Sequence, residues 1–279
     1  MPFIIYNVFH LRKTTKNSSV ILNRPSKIRR RMSKQLRVKL ICSVNSQKWF
    51  ARDFVKFMLE TDLSFKTEIN LYYDLYIPEN VKKPAPLLIA VHGYGAHKRY
   101  MMRESVLIAP ENFVIASIQA PYQHFRKTDA GYKTGFGWLT DFKPEESVKI
   151  HQKFVSDIIE KLANENLIDA NQVYLFGFSQ ACALNFRFAF TNPEHLRGIA
   201  GVCGGIPSDL EINKDYTPTA ADVFYLYSTK DEFYSLEKYE DFDAKLKNFL
   251  PNYQSKIYDA KHEITDAMRG DIKNWLLTK

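Results

Sequence analysis

The sequence predicts an α/β fold: a mostly parallel, twisted sheet flanked by helices on both faces, with no large lid. Three observations lead there. Short β-rich runs recur at residues 87–91, 113–118, 173–176, 199–202 and 223–227. Segments with helical periodicity lie between several of them, the alternation expected of parallel strands joined by crossover helices. The run 87–91 (Leu-Leu-Ile-Ala-Val) is apolar at every position, as in a strand buried on both faces.

In chain order, Trp49, Phe50, Phe54, Phe57 and Met58 recur at helical spacing and suggest a short amphipathic helix over 47–60. Ile69, Tyr73, Leu75 and Ile77 alternate as in a strand that ends at Pro78. Pro84 and Pro86 punctuate a loop before the buried run. Pro144, followed by Glu145 and Glu146, is a helix start, because proline needs no N–H there and acids suit the positive end of the helix dipole. Val148, Val155, Ile158, Ile159 and Leu162 form one stripe of that helix. Further helices are expected near 180–191, 236–250 and 263–277, with a strand-like segment at 255–258. The long aromatic segment 121–141 (Tyr122, Phe125, Tyr132, Phe136, Trp138) is expected to line or cover a pocket. About 20 residues separate the strands at 199–202 and 223–227, too few for a large lid.

Composition bounds the class. The 279 residues are 45% hydrophobic and 25% charged, ordinary for a globular chain. No apolar run approaches the roughly 20 residues of a membrane span. Cys42, Cys182 and Cys203 are too few for a disulfide framework and lack metal-ligand spacing. The net charge of +8 is concentrated in one place: 13 of the 39 basic residues precede Asp53, the first acidic residue. The remaining 26 basic residues face 31 acidic ones, so the body carries −5. Residues 1–46 are expected to be a basic extension and 47–279 the folded domain. An Arg-rich, acid-free leader fits a transit peptide, a solvated extension, translation from Met32, or a nucleic-acid contact through the run from Lys27 to Arg31. The acidic body argues against nucleic acid as the main partner. A cytoplasmic location is expected, or a mitochondrial or other organellar one if the leader directs it. The sequence leaves the oligomeric state open.

The chemistry is carried by Gly177-Phe178-Ser179-Gln180-Ala181, directly after the strand at 173–176 and before a helix. A serine at such a turn is a nucleophile elbow, with its hydroxyl pushed out above the sheet and flanked by small residues two positions away. A serine needs a base, and the base needs an orienting acid. Asp231, 52 residues on, lies just past a strand; His262, 31 residues further, is the one histidine after His195. Glu232 rivals Asp231, whereas Asp222 begins its strand at the wrong end. His92-Gly93-Tyr94-Gly95 follows the buried strand, where a second oxyanion donor is supplied. The backbone N–H groups of Tyr94 and Gln180 are therefore the expected donors. His92 is read as a structural brace; with His97 it makes no metal site, because no third ligand is apparent. No metal and no cofactor are expected.

These motifs resemble the phospholipase/carboxylesterase group of α/β-hydrolases, which includes acyl-protein thioesterases, and also the depolymerase/feruloyl-type esterases. The similar stretches are Tyr76-Ile77-Pro78, residues 87–95, Gly177-Phe178-Ser179-Gln180, Asp231 and His262-Glu263-Ile264. The resemblance spans about residues 67–277 and implies an α/β-hydrolase fold and a Ser179–His262–Asp231 triad. It further implies hydrolysis of a small-molecule carboxylic ester of small to medium acyl chain. Gly137-Trp138 resembles the segment that borders the acyl pocket in that group, which implies Trp138 as a substrate-binding residue. Ala181-Cys182 departs from the small glycines common there, and Lys261 from the glycine that commonly precedes the histidine. A thioesterase, a serine peptidase on the same fold and a non-catalytic binding protein are the alternatives.

Overall fold

The computed structural model describes residues 59–279, of which Glu68–Lys279 form one compact unit. The expected domain boundary at 46/47 and nearly all of the expected helix over 47–60 lie outside the described residues.

The elements run β1 (Tyr73–Tyr76), β2 (Ala85–Val91), α1 (Lys98–Ile108), β3 (Val114–Ile118), β4 (Tyr122–Thr128), β5 (Gly131–Gly137), α2 (Pro144–Asn164), β6 (Ile168–Phe178), α3 (Gln180–Thr191), β7 (Gly198–Val202), β8 (Asp222–Ser228), α4 (Leu236–Phe249), β9 (Tyr253–Tyr258) and α5 (Asp266–Leu277). Seven strands form one sheet in the order β1-β3-β2-β6-β7-β8-β9, parallel throughout except for the antiparallel edge strand β1. The strand order reverses around β2, so the carboxyl ends of β2 and β6 flank a crevice where ligand sites form in open α/β sheets.

The apolar run of β2 divides by parity. Leu87, Ile89 and Val91 enter one core cluster with residues of α2, α3 and α4, while Leu88 and Ala90 enter a second with α1 and α5. Helices therefore cover both faces, as the sequence predicts. The expected stripe on α2 is the one that packs: Val155, Ile158, Ile159 and Leu162 are buried. Pro144 stands at the start of that helix with Glu145 and Glu146 in its first turn. The inner strands also bury large rings, among them Phe176 and Tyr225; full burial of an apolar side chain contributes about 1.5–3 kcal/mol.

Two elements differ from expectation. Helix α1 carries Glu104 and Ser105 on its buried face beside Met101 and Ile108, which interrupts the apolar stripe. Arg269 of α5 neutralises Glu104 at 2.8 Å, so the polar pair can be covered. The aromatic segment 121–141, expected to line or cover a pocket, contains a β4–β5 hairpin that the sequence reading did not foresee, paired from Tyr122↔Gly137 to Thr128↔Gly131. Its strands are mostly exposed, so they lack the alternating hydrophobicity that marks a half-buried sheet.

Candidate active site

Strand β6 ends at Phe178 and α3 begins at Gln180, leaving Ser179 alone at the turn with φ 58° and ψ −120°. This left-handed backbone is strained for a residue with a Cβ, of the order of 1–3 kcal/mol, and persists only where the surroundings enforce it. Here they do. Ser179 N–H donates to Val202 O at 2.9 Å, and Ser179 O accepts from Cys182 N at 3.0 Å. Space for the turn comes from glycines. A Cβ at Gly177 would lie 2.7 Å from Asn185 Nδ2, and one at Gly204 would lie 2.1 Å from Ser179 O. Gly177 belongs to the elbow motif; Gly204, on a distant segment, escapes sequence reasoning because nothing in the motif points to it. Cys182 lies beneath the elbow, its thiol donating to Gly177 O and Val202 O at 3.3 and 3.4 Å. Burial pushes that thiol well above its usual range, so it stays protonated.

Ser179, His262 and Asp231 come together at the carboxyl end of the sheet. His262 Nε2 is 2.9 Å from Ser179 Oγ, and His262 Nδ1 is 2.7 Å from Asp231 Oδ2. The Asp231 side chain is fully shielded from solvent. Desolvation pushes its carboxyl up, but hydrogen bonds from Tyr239 Oη (2.6 Å), His262, Phe233 N (2.8 Å) and Tyr234 N (3.1 Å) outweigh it and hold the group below its usual value. An ionised Asp231 fixes the proton on His262 Nδ1 and leaves Nε2 as the acceptor facing the serine. Glu232 takes a different place: its Oε2 accepts the His262 backbone N–H at 3.0 Å. Asp222 lies at the start of β8, paired with Arg197 at 2.6 Å.

Tyr239 is a contributor that the sequence reading missed. It sits on α4, eight residues beyond Asp231, and is fully buried. Burial and the neighbouring carboxylate push its hydroxyl well above the usual range, so it remains a donor. The available signal was chemical: a tyrosine on the buried face of a helix needs a partner for its hydroxyl.

The turn after β2 lies against the elbow; a Cβ at Gly93 would approach Ser179 Cβ to 3.0 Å. Gln180 N–H is the first of α3 and has no intrahelical acceptor. Among the described residues neither it nor Tyr94 N–H has a hydrogen-bond acceptor. His92 braces this turn, as expected of it. Its Nε2 accepts from Ala120 N at 3.1 Å and from Gln119 Nε2 at 2.9 Å, which leaves the proton on Nδ1 for Gly93 O at 2.7 Å. Burial, with repulsion from His97, lowers the His92 pKa to about 4 against the bond to Gly93, so the ring is neutral. His97 caps α1, accepting from Tyr100 N at 3.3 Å.

Trp138, expected on the border of an acyl pocket, is only 1% exposed. Its indole N–H donates to His92 O at 2.9 Å, and its backbone N–H donates to Gln180 Oε1 at 2.9 Å. Gln180 Nε2 in turn donates to Leu139 O at 3.1 Å, stapling residues 138–139 to the elbow. These contacts make Trp138 a brace for the turn. The imidazole is flanked by two rings, that of Phe178 at 4.9 Å and that of Phe233, which is 75% exposed, at 4.7 Å.

Among the described residues no group of three His, Cys, Asp or Glu side chains is placed to hold a metal ion, and no helix is long and apolar enough to cross a membrane. Two surface clefts of about 270 and 530 Å³ lie elsewhere, and neither is lined by a serine, cysteine or histidine.

Comparison with known proteins agrees with this architecture. The chain is similar to the putative esterase NocK of Nocardia uniformis subsp. tsuyamanensis, at 27% identity over 128 residues covering 44% of this chain and 34% of that protein. It spans 34% or less of the length of the curated relatives it matches. Its fold is similar to that of the Bacillus cereus carboxylesterase, with a TM-score of 0.58 at 16% identity, covering 75% of this chain and 94% of that one. The Zea mays acyl-protein thioesterase 2 is similar in fold as well, with a TM-score of 0.54 at 16% identity, covering 74% and 98%. The fold is that of the α/β-hydrolases; the family model described as phospholipase/carboxylesterase matches residues 74–279, and the chain belongs to that family.

Proposed function

We propose that the protein hydrolyses carboxylic esters of small to medium acyl chain through an acyl-enzyme on Ser179. The observation that carries this reading is the continuous line of hydrogen bonds from Ser179 Oγ through His262 to Asp231, at 2.9 and 2.7 Å. His262 Nε2 takes the serine proton as Oγ attacks the ester carbonyl, and Asp231 stabilises the imidazolium that forms. The oxyanion is held by Tyr94 N–H and Gln180 N–H, both without a described protein acceptor. His262 then returns its proton to the leaving alcohol. Water, activated by the same imidazole, releases the acid and regenerates the serine. The short β7–β8 connection, residues 203–221, supports the assignment of modest acyl chains, since it leaves little chain for a lid.

A series of 4-nitrophenyl esters of increasing chain length tests the reading. Turnover is expected to be highest for short and medium acyl groups and to collapse in His262→Ala. A preference for long chains would overturn the size assignment. Equal turnover by wild type and His262→Ala would overturn the triad.

A further inference from the structure

The β4–β5 hairpin has two faces, because side chains alternate along a strand and directly opposed residues share a side. His124, Arg126, Lys133 and Gly135 lie on one face, with the pairs His124↔Gly135 and Arg126↔Lys133; Phe125, Lys127 and Tyr132 lie on the other. The first face is clasped onto the turn that carries Tyr94. Gly95 N–H donates to Phe136 O at 2.8 Å, and Phe136 N–H donates to Ala96 O at 3.2 Å. The Tyr94 and His124 rings stack at 4.6 Å. Only glycine permits this approach, since a Cβ at Gly135 would lie 2.8 Å from Gly95 O and one at Gly137 3.0 Å from the Tyr94 ring. The clasp brings the Arg126 side chain directly over the turn, with its Cδ 3.3 Å from where a Gly95 Cβ would stand.

Two cations thus sit on the face that meets the Tyr94 turn, in a body that is otherwise net acidic. Arg126 is exposed, and among the described residues no carboxylate lies within ion-pair distance of it or of Lys133. Helix α1 adds positive charge alongside: His97, after burial, is held below its usual pKa by repulsion from Arg103, Arg99, Lys98 and Arg126. The acids around α1 are Asp74, paired with Lys98, Glu104, paired with Arg269, and Glu263, which with Glu104 adds negative charge at Tyr100; Asp129 stands at the hairpin tip.

We propose that this enzyme prefers esters that bear a second, anionic group, and that Arg126, with Lys133 beside it, binds that carboxylate above the Tyr94 turn. Arginine suits the task because its planar fork gives a carboxylate two parallel hydrogen bonds. The inference rests on the esterase reading and adds the substrate class. It makes the hairpin the element that sets specificity.

The test compares kcat/KM for charged and neutral ester pairs at low salt. Mono-4-nitrophenyl adipate is set against 4-nitrophenyl hexanoate, and 4-acetoxybenzoate against 4-acetoxybenzamide; the first pair places the carboxylate on the acyl side, the second on the alcohol side. The charged member of at least one pair is expected to be favoured, and added salt to erode the preference. Arg126→Ala should reduce the charged-to-neutral ratio by about tenfold, and Arg126→Glu by more. Lys127→Ala, which removes the same charge from the opposite face of the hairpin, should leave the ratio unchanged. Overturning results are a ratio insensitive to Arg126→Ala, no charged preference in either pair, or an equal loss in Lys127→Ala. If wild type turns over none of the four esters, the esterase reading itself fails, and this inference falls with it.

Discussion

Asp231 and Glu232 are adjacent carboxylates with different neighbours, and the difference fixes what each substitution should do. Asp231 Oδ2 meets the His262 ring, while Glu232 Oε2 meets the His262 main chain. Asp231→Asn is expected to lower kcat by about 10⁴-fold, the effect seen where a triad acid is neutralised and the imidazole takes the wrong tautomer. Glu232→Gln keeps a hydrogen-bond acceptor at the same place, and its loss should stay within about tenfold, since a bond to a backbone N–H supports position only. Steady-state kinetics on a 4-nitrophenyl ester separates the two; a larger loss in the Glu232 variant would reverse the assignment. The rivalry could not be settled from sequence, because adjacent loop residues differ in direction and not in position. Tyr239 is legible only in three dimensions, since α4 must fold back before its hydroxyl reaches Asp231 Oδ2 at 2.6 Å. Removing that donor in Tyr239→Phe should raise the Asp231 carboxyl toward its usual value, which an NMR titration of that carboxyl in wild type and variant checks. An unmoved carboxyl would show that Tyr239 serves packing alone.

At the scale of elements, legibility followed hydrophobic pattern. Strands β2, β3, β7 and β8 are predominantly apolar and buried between two helix layers, so composition largely places them. Helix α3 begins where the elbow demands it, directly after Ser179. Helix α1 and the hairpin were not legible, for opposite reasons. The buried face of α1 includes the paired Glu104, and the hairpin strands bury few side chains and so carry no period-2 signal. The hairpin nevertheless positions the Tyr94 turn through Gly135. Gly135→Ala should push the two apart, costing about 1–3 kcal/mol of strain at a tightly packed contact. Because β4–β5 is a separate two-stranded sheet, the loss should register more in kcat/KM than in the melting temperature. A variant with a lowered Tm and unaltered kinetics would contradict that division of labour.

The whole molecule should show its buried histidines in acid. Burial, against a contribution from Asn185, lowers His151 to about 3; burial likewise lowers His92 to about 4, from an ordinary 6.5. The unfolded chain binds a proton at each from about pH 6.5 downward, whereas the folded chain does so only near those lower values. Stability therefore falls as pH drops through the window between, by at most about 1.4 kcal/mol per pH unit for each histidine. Melts from pH 7 to 4.5 should show this slope, and His151→Met should remove one histidine's share; an unchanged slope in that variant would place the sensitivity elsewhere. The mostly parallel sheet and its two helix layers were available from the sequence, because apolar runs alternate with helical periodicity; three strands also end just before a residue of the site, β2 before the Tyr94 turn, β6 before Ser179 and β8 before Asp231. What the sequence could not supply were the contacts between segments, such as Gly204 beneath Ser179 or Arg126 over Gly95. The central claim is that Ser179 is an activated nucleophile. Labelling wild type and Ser179→Ala with a fluorophosphonate probe, read by intact mass, addresses it most directly. A single adduct on wild type that is absent from the variant is the expected result; an unlabelled, well-folded wild type, or an adduct that persists in Ser179→Ala, would contradict it.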